Sequence, residues 1–368
     1  MRLMIAGGGT GGHIYPGLAV AEAVRAAHPD AAVIWVGGDR LEARVVPLAG
    51  VQFIAVLSRG LPRRIGVRAV EALLVNAVGA VQALDFLRRF RPAGVLLTGG
   101  YAAAPVGAAA VLLRVPVLLH EPNALPGLTT RLLARWAWRV AVGQAATAAH
   151  FPGKAVVTGV PLRPGILDGV RDRGVRRFDL AGDRVTALVL GGSQGAHAIN
   201  QAVLDALPAL RHAAGLQIFH QTGEEHAAVA GEAAARLGEG AGLRYVARPY
   251  IEEMADAYAA ADLVVCRAGA VTLAEVTALG RPAILVPYPH AAEAHQERNA
   301  RAVADAGGAV MILNRDLTGD RLAQAILDLA RDPARRAVMA AGSRTLGRPR
   351  ATAVMLALVE EMVGAHGG

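Results

Sequence analysis

Short apolar runs alternate with amphipathic stretches along the whole chain. In the first half these runs predict buried strands at residues 3–6, 33–36, 53–57, 95–98, 115–119 and 140–142. The second half repeats the scheme, with predicted strands at residues 185–190, 216–220, 244–247, 263–266, 283–286 and 310–313. The intervening segments show helical spacing, as at Ile199, Ala202, Val203, Ala206 and Leu207. This alternation predicts an α/β fold with parallel sheets covered on both faces.

A change in composition separates the two halves. Residues 161–184 combine proline, glycine and arginine, which is typical of a linker. We therefore predict two doubly wound, Rossmann-like domains, 1–160 and 185–344, that face each other across a cleft. Such sheets bind ligands outside the carboxyl ends of their strands. The last helix, within residues 345–368, is apolar nearly all round and is expected to pack back on the first domain.

Length and composition limit the class of protein. The chain has 368 residues, 54% of them hydrophobic and 18% charged, which fits two globular cores and excludes a disordered chain. Cys266 is the sole cysteine, which argues against a disulfide framework and a cysteine-rich zinc site and favours the cytoplasm. The longest apolar run, residues 101–113, falls short of the ~20 residues that span a bilayer. The amino terminus is expected to be a first strand and not a signal peptide.

The net charge of +8 predicts anionic partners, among them phosphates and acidic lipid. Nucleic acid is not expected as a partner. Aromatic residues make up 4% of the chain, and the sequence contains neither a zinc-finger spacing nor an aromatic RNA-binding motif.

The first predicted strand runs into a glycine-rich turn that ends at His13 and opens a helix. A helix amino terminus offers unpaired N–H groups to an anion, and glycines let a ligand approach the backbone. Gly7, Gly9 and Gly12 match the dinucleotide pattern G-x-G-x-x-G only formally, because Gly37 and Gly38 stand where its acidic residue belongs. The alternative is a turn required only for helix–sheet packing.

A second glycine turn, residues 191–195, follows the first strand of the second half. It predicts a second anion site. It also matches G-x-S-x-G, the nucleophile elbow of serine hydrolases, with Ser193 as the nucleophile. That alternative requires a downstream acid and histidine, for which Asp262 followed by His290 or His295 are candidates.

A third turn, after the strand ending at Cys266, offers Thr272 and Glu275. Their spacing fits a capping box, in which each side chain bonds the other's backbone N–H. The functional alternative gives the Glu275 carboxylate the two hydroxyls of a ribose.

Two further polar clusters follow predicted strands. His290, Glu293, His295 and Gln296 lie after residues 283–286, where a sugar-contacting loop is favoured over a metal site. His120-Glu121-Pro122-Asn123 follows a strand of the first domain, and capping of the strand end is the alternative to a binding role.

With these loops in order, the chain resembles the MurG family of cell-wall glycosyltransferases over nearly its whole length. The resemblance rests on residues 8–13, 99–101, 120–124, 191–196, 267–275 and 287–296. It implies a two-domain GT-B fold. It also implies transfer of N-acetylglucosamine from its UDP donor to undecaprenyl-pyrophosphoryl-MurNAc-pentapeptide (lipid I), which gives lipid II for peptidoglycan.

The resemblance also implies site residues, with the UDP-sugar in the second domain and the lipid acceptor on the first. The implied substrate contacts, all of them to the UDP-sugar donor, are Thr10, Gly11, Gly12, Asn123, Arg163, Ser193, the Ile251 backbone, Ala270, Val271, Thr272, Leu273, Ala274, Glu275 and Gln296. Beside Asn123 and Arg163, this chain has Pro122 and Val160 where the family often has glutamine and asparagine.

The implied reaction inverts the anomeric carbon by direct displacement. His13 is the candidate base for the acceptor 4-hydroxyl, and the alternative role for it is to hold the acceptor pyrophosphate. Arg163 and helix dipoles can stabilise the leaving diphosphate, so no cofactor or metal is expected.

Because the acceptor carries a lipid, we expect peripheral binding to the cytoplasmic face of the cell membrane. The expected surface combines Leu73, Leu74, Val75 and Val78 with basic residues on either side, Arg63, Arg64, Arg68, Arg88, Arg89 and Arg91. An ordinary amphipathic core helix is the alternative.

Overall fold

The structure, a computed structural model, describes residues 1–60, 66–191, 196–238 and 242–366. The chain divides into two compact units. Unit 1 consists of Met1–Arg163 and Arg350–Gly368, and unit 2 of Pro164–Pro349.

Each unit is built around one parallel sheet. Within the described residues, the strands of unit 1 are β1 (Arg2–Gly7), β2 (Ala32–Gly37), β3 (Gln52–Ala55), β4 (Gly94–Gly99), β5 (Val117–Glu121), β6 (Arg139–Val142) and β7 (Ala155–Val157). Those of unit 2 are β8 (Val185–Leu190), β9 (Leu216–Gln221), β10 (Arg244–Arg248), β11 (Leu263–Cys266), β12 (Ala283–Leu285) and β13 (Ala309–Met311). The predicted α/β class and parallel sheets are confirmed.

Helices connect the strands and cover the sheets. The described helices are α1 (Gly11–Ala27), α2 (Leu41–Leu48), α3 (Val67–Phe90), α4 (Ala103–Leu112), α5 (Leu128–Leu133), α6 (Arg171–Arg177), α7 (His197–Leu210), α8 (Glu224–Leu237), α9 (Met254–Ala260), α10 (Ala270–Ala278), α11 (His295–Asp305), α12 (Gly319–Arg331), α13 (Pro333–Leu346) and α14 (Ala351–His366).

The strand order places a ligand-binding crevice in each sheet. In unit 1 the order is β3-β2-β1-β4-β5-β6-β7, and in unit 2 it is β10-β9-β8-β11-β12-β13. Both are doubly wound, so the order reverses between β1 and β4 and between β8 and β11. Ligands bind at such switch points, beyond the carboxyl ends of the strands. The predicted glycine turn of the first half follows β1 at such a point, whereas residues 192–195 of the second turn lie outside the described residues.

The apolar strands are buried on both faces. In β1, Leu3 and Ile5 join one core of unit 1 while Met4 and Ala6 join the other, and all four are fully buried. This explains why the strands read as continuous apolar runs and not as alternating ones.

Helix α14 returns to unit 1 after the chain has formed unit 2. Its Met355, Val359 and Met362 pack in the same core as Leu3 and Ile5. At its start, the Thr352 hydroxyl accepts a hydrogen bond from the Leu162 backbone N–H at 3.1 Å. The helix therefore fastens the end of the chain to the segment that leaves unit 1.

Most of the segment with linker composition lies in unit 2. It contains α6, whose Arg173 Nε donates to both carboxylate oxygens of the buried Asp256 on α9, at 2.8 and 2.7 Å. These hydrogen bonds lower the pKa of Asp256. Arg171 also pairs with Asp262, which lies immediately before β11. Residues from Pro164 onward are thus folded onto unit 2.

The sequence predicted no segment long and apolar enough to cross a membrane, and helix α3 is an exception to that prediction. By length and composition alone, its residues 69–90 pass that test among the described helices. The apolar-run criterion misses it because Glu71 and Asn76 interrupt the run. Ala83 and Leu87 nevertheless pack in the core of unit 1, so α3 is a surface helix of that unit with one buried edge.

Candidate functional site

The turn between β1 and α1 carries the first group of predicted site residues. Thr10 is the extended amino-terminal cap of α1, and no cap hydrogen bond is formed by its side chain. The Thr10 carbonyl accepts hydrogen bonds from the backbone N–H groups of His13 and Ile14. Gly9 has a φ of +85°, a conformation that glycine adopts without strain. The turn thus brings Thr10, Gly11, Gly12 and His13 together at the switch point of unit 1.

His13 is oriented by the end of the neighbouring strand β4. Its Nδ1 lies 2.8 Å from the Thr98 carbonyl oxygen. Since a carbonyl only accepts, Nδ1 carries the hydrogen in the neutral ring, and the basic lone pair is on Nε2. Gly99 is required here because a Cβ at this position would lie 2.6 Å from His13 Nδ1. The geometry is that of a fixed tautomer.

A buried glutamate that the sequence analysis did not identify, Glu42, contacts the same turn. Glu42, on α2, accepts hydrogen bonds from Gly9 N–H at 2.8 Å and Gly38 N–H at 3.0 Å. The Gly9 N–H is therefore already bonded within the protein, whereas the N–H groups expected to meet an anion are those at the start of α1. The sequence does contain a signal for this contact. Glu42 comes shortly after the glycine pair that follows β2, and it is the one carboxylate of α2.

The cluster 120–123 is part strand and part turn. His120 and Glu121 belong to β5, and the Glu121 carboxylate accepts from the backbone N–H groups of Asn123 at 3.1 Å and Gly127 at 2.9 Å. The Glu121 carboxylate thus caps the end of β5, which is the role considered as the alternative to ligand binding. Burial first, and then the nearby His13, lower the pKa of His120 to about 3, so its ring is neutral at physiological pH. Asn123 is partly exposed on the capped turn, beyond the carboxyl end of β5.

Arg163 lies at the same end of unit 1 as the first glycine turn. Its guanidinium carbon stands 5.9 Å from the ring centroid of Tyr15, which is on the first turns of α1. A cation held on an aromatic face keeps its charge while part of its motion is restricted. Arg163 thus places a positive charge beside the helix that carries His13.

In unit 2, the predicted residues Ala270 to Glu275 are the first six residues of α10. The capping-box prediction is wrong. The amino-terminal cap is Gly269, no side chain caps the helix, and Thr272 already lies inside its first turn. Glu275 is instead buried, and its Oε2 accepts a hydrogen bond from the Tyr258 hydroxyl of α9 at 3.1 Å. The first backbone N–H groups of α10 lack intrahelical partners, as in any helix, and lie at the switch point.

Ile251 lies on the loop between β10 and α9, and Gln296 lies in the first turn of α11. The Ile251 N–H donates to Gln221 Oε1 at 3.2 Å, which fixes the backbone before α9. Gln296 Oε1 accepts from the Tyr288 N–H at 3.0 Å, which joins the start of α11 to the loop after β12. Arg267 lies beside this loop and donates to the Pro287 carbonyl at 3.2 Å.

Ser193 lies outside the described residues, together with Gly192, Gln194 and Gly195. The proposed acid of the hydrolase alternative is nonetheless placed. Asp262 accepts from Thr186 N–H at 2.8 Å, at the amino-terminal ends of β8 and β11. Asp262 also pairs with Arg171 there. This placement gives no support to Asp262 as the acid of the hydrolase alternative.

No metal cluster is formed by the part of the chain that the structure describes. Within that part, no group of three or more His, Cys, Asp or Glu side chains is arranged to hold a metal ion.

Comparison with known proteins identifies the family. Residues 3–142 match the glycosyltransferase family 28 N-terminal domain, and residues 186–354 match the glycosyltransferase family 28 C-terminal domain. A UDP-N-acetylglucosamine--N-acetylmuramyl-(pentapeptide) pyrophosphoryl-undecaprenol N-acetylglucosamine transferase of Desulforudis audaxviator is 45% identical, with 99% of each chain covered. The protein of the same name from Geobacter sulfurreducens is 43% identical over 99% of this chain and 98% of its own.

Solved structures agree. MurG of Acinetobacter baumannii superposes with a TM-score of 0.79 at 31% identity, covering 98% of this chain and 99% of its own. The calicheamicin glycosyltransferase CalG4 has a TM-score of 0.66 at 17% identity, over 99% of this chain and 98% of its own, and shares the fold. The chain, with its two doubly wound sheets, belongs to the MurG family of glycosyltransferases.

Proposed function

We propose that the protein transfers N-acetylglucosamine from UDP-N-acetylglucosamine to the 4-hydroxyl of MurNAc in undecaprenyl-pyrophosphoryl-MurNAc-pentapeptide, with inversion. The observation that carries the proposal is the fixed tautomer of His13, in a chain whose full-length relatives bear this transferase name. The hydrolase alternative has no such support, and its proposed acid, Asp262, is paired with Arg171.

The donor is assigned to unit 2. The first-turn N–H groups of α10 suit an anionic diphosphate, since a helix amino terminus combines free donors with a positive dipole end. Glu275 would accept from the ribose hydroxyls, the Ile251 backbone would face the uracil, and the Gln296 amide would bind sugar hydroxyls. Ser193 would add a hydroxyl donor to the diphosphate.

The acceptor is assigned to unit 1. The acceptor 4-hydroxyl attacks the anomeric carbon as the bond to the UDP oxygen breaks, and the hydroxyl proton passes to His13 Nε2. UDP leaves with the bonding electrons, and Arg163 stabilises the charge that develops on it. Thr10, Gly11, Gly12 and Asn123 would contact the substrates at the same end of unit 1.

An exposed apolar face on α3 supports docking to a membrane. Six of its side chains are exposed, namely Val67, Val70, Leu73, Leu74, Val78 and Val81. Large apolar side chains are also exposed on and beside the neighbouring helices α4 and α5, at Leu112, Leu128, Leu132 and Trp136. An exposed apolar face of this extent marks an interaction surface.

Positive charge accompanies this surface. Arg88 and Arg91 are exposed at the end of α3, and Arg135 lies 4.6 Å from the ring centroid of Trp136. Apolar insertion with arginine at the rim suits the anionic cytoplasmic surface of a cell membrane. Arg63, Arg64 and the side chain of Arg68, also expected there, lie outside what the structure describes.

The decisive experiment measures UDP release with UDP-N-acetylglucosamine and a soluble lipid I analogue, and identifies the product by mass. Release that depends on the acceptor, with one N-acetylhexosamine added, is expected. A protein that hydrolyses esters and releases no UDP would contradict the proposal.

A further inference from the structure

Glu42 is buried beneath the first glycine turn. Its residue surface is 2% exposed. Each carboxylate oxygen accepts a backbone N–H from a different loop, Oε2 from Gly9 after β1 and Oε1 from Gly38 after β2. Among the described residues, no arginine or lysine forms an ion pair with it. A buried carboxylate is costly unless hydrogen-bonded, so its two N–H partners and the Glu42 side chain hold one another in place.

The glycines of both loops make room for this carboxylate. A Cβ at Gly8 would lie 2.2 Å from Glu42 Oε1, and a Cβ at Gly37 would lie 2.8 Å from Glu42 Cγ. Any larger residue at either position would collide with the side chain. The glycine turn and the glycine pair after β2 therefore form a seat shaped for Glu42.

The Glu42 carboxylate occupies the position that a bound anion would take in such a turn. Backbone N–H groups in a glycine turn before a helix bind phosphates or carboxylates. At Gly9 that donor is already used by the protein's own carboxylate. The turn in unit 1 is thus filled from within, and its shape is set before any substrate arrives.

The same turn carries His13. On the side opposite Glu42, Gly8 N–H donates to the Gly99 carbonyl at 3.2 Å, and His13 Nδ1 donates to the Thr98 carbonyl. The turn is therefore held between α2 on one side and the end of β4 on the other. We propose that Glu42 is a positioning residue, a built-in anion that holds the turn in the shape that presents His13 to the acceptor. This inference rests on the function proposed above.

A carboxylate is required for this role because both oxygens accept. Glutamine has one acceptor oxygen, and its NH₂ would face a backbone N–H donor. Alanine would leave a space of carboxylate size lined by two N–H donors. A small carboxylate such as formate fits that space and restores the acceptor pair.

The test compares Glu42→Ala with Glu22→Ala, which removes an exposed glutamate of α1. We expect Glu42→Ala to lower kcat/KM for the lipid I analogue by up to about 100-fold, since misplacement by about 1 Å costs that much. The KM for UDP-N-acetylglucosamine should change less than that for the lipid I analogue, because most of the implied donor contacts lie in unit 2. Sodium formate, compared with sodium chloride at equal ionic strength, should restore activity to Glu42→Ala and not affect the wild type or Glu22→Ala.

A readout without catalysis separates this inference from the proposed function. Formate should raise the Tm of Glu42→Ala more than that of the wild type, whether or not lipid I is the acceptor. If the wild type releases no UDP, the proposed function fails while this measurement still tests the seat. If Glu42→Ala does not fold, Glu42→Gln should show the same shift on the acceptor side without formate rescue. Equal losses for both substrates, or no response of Glu42→Ala to formate in either measurement, would overturn the positioning role.

Discussion

The Tyr258 hydroxyl donates a hydrogen bond to Glu275 Oε2 across 3.1 Å in the interior of unit 2. Tyr258 lies on α9, which begins shortly after Ile251, and Glu275 lies on α10. The bond therefore couples the two elements assigned to the uracil and the ribose of the donor.

Separate replacement of the two partners distinguishes binding from stability. Glu275→Ala removes the proposed ribose acceptor, and hydrogen bonds to a charged group are worth about 1.5–3 kcal/mol each, so donor affinity should fall at least about tenfold. Tyr258→Phe should lower the free energy of unfolding by about 1–3 kcal/mol and alter donor affinity less. Calorimetric titration with UDP and thermal unfolding measure the two effects. A Glu275→Ala protein with a lowered Tm and unchanged donor affinity would show that the ribose role is wrong.

His13 as a base is tested by the pH dependence of turnover. The asparagine of His13→Asn can still donate to the Thr98 carbonyl but has no basic nitrogen, so kcat should fall by about 10²- to 10⁴-fold. The fall of kcat at acidic pH, expected for the wild type, should be absent in this variant. His28→Gln, which removes a surface histidine paired with Glu360, is the matched control in the same unit. If His13→Asn instead raises the acceptor KM while kcat is retained, His13 holds the acceptor pyrophosphate.

Ser193 is where the transferase and hydrolase interpretations differ most. If Ser193 is one of several hydrogen-bond donors to the diphosphate, Ser193→Ala should lower the transferase rate by roughly 10- to 150-fold and leave a measurable rate. The wild type should not react with an organophosphate. Intact mass and UDP release test both points, and covalent labelling of Ser193 would favour the hydrolase.

Buried His220 predicts a loss of stability in weak acid. Its Nε2 donates to Asn200 Oδ1, since the Asn200 amide donates to the Thr222 carbonyl, and its Nδ1 lies 2.9 Å from the Tyr245 hydroxyl. Burial first, and then nearby His226, lower the pKa of His220 to about 3. Below about pH 6.5 the unfolded chain binds a proton that the folded chain does not, so stability falls by up to about 1.4 kcal/mol per pH unit.

Urea unfolding between pH 7 and pH 5 measures that slope. His220→Gln keeps one donor and one acceptor but does not titrate, so its stability should depend less steeply on pH. His212→Gln, at an exposed site of unit 2, controls for the loss of a histidine. Equal slopes for His220→Gln and the wild type would contradict the assignment.

The apolar face of α3 is tested by sedimentation with vesicles. Each fully buried leucine contributes about 1.5–3 kcal/mol, so the double variant Leu73→Ser, Leu74→Ser should bind anionic vesicles at least about tenfold more weakly. Leu48→Ser, at an exposed leucine of α2, should bind like the wild type. Equal binding of the wild type to neutral and anionic vesicles would contradict the contribution of arginine.

Local sequence determined the strands and the turns that carry the chemistry. A parallel strand buried on both faces must be apolar throughout, so β4 was predicted at residues 95–98 and spans Gly94–Gly99. β7 was not predicted, because Ala155–Val157 is too short to show a pattern and is defined by pairing with β6. Glycine turns after strands also read directly from the chain, because backbone conformation there depends on the residue itself.

Tertiary structure decided which side chains meet. Thr272 and Glu275 have the spacing of a capping box, yet spacing alone does not reveal where α10 begins. Glu275 is buried against α9 and accepts a hydrogen bond from the Tyr258 hydroxyl. The seat of Glu42 joins loops after two neighbouring strands to a third element, so no local pattern contains it. The tautomer of His13 likewise depends on Thr98, which lies 85 positions away in sequence. Hydrogen bonds across strands are set by sheet order and packing, and these follow from the whole chain and not from any single segment.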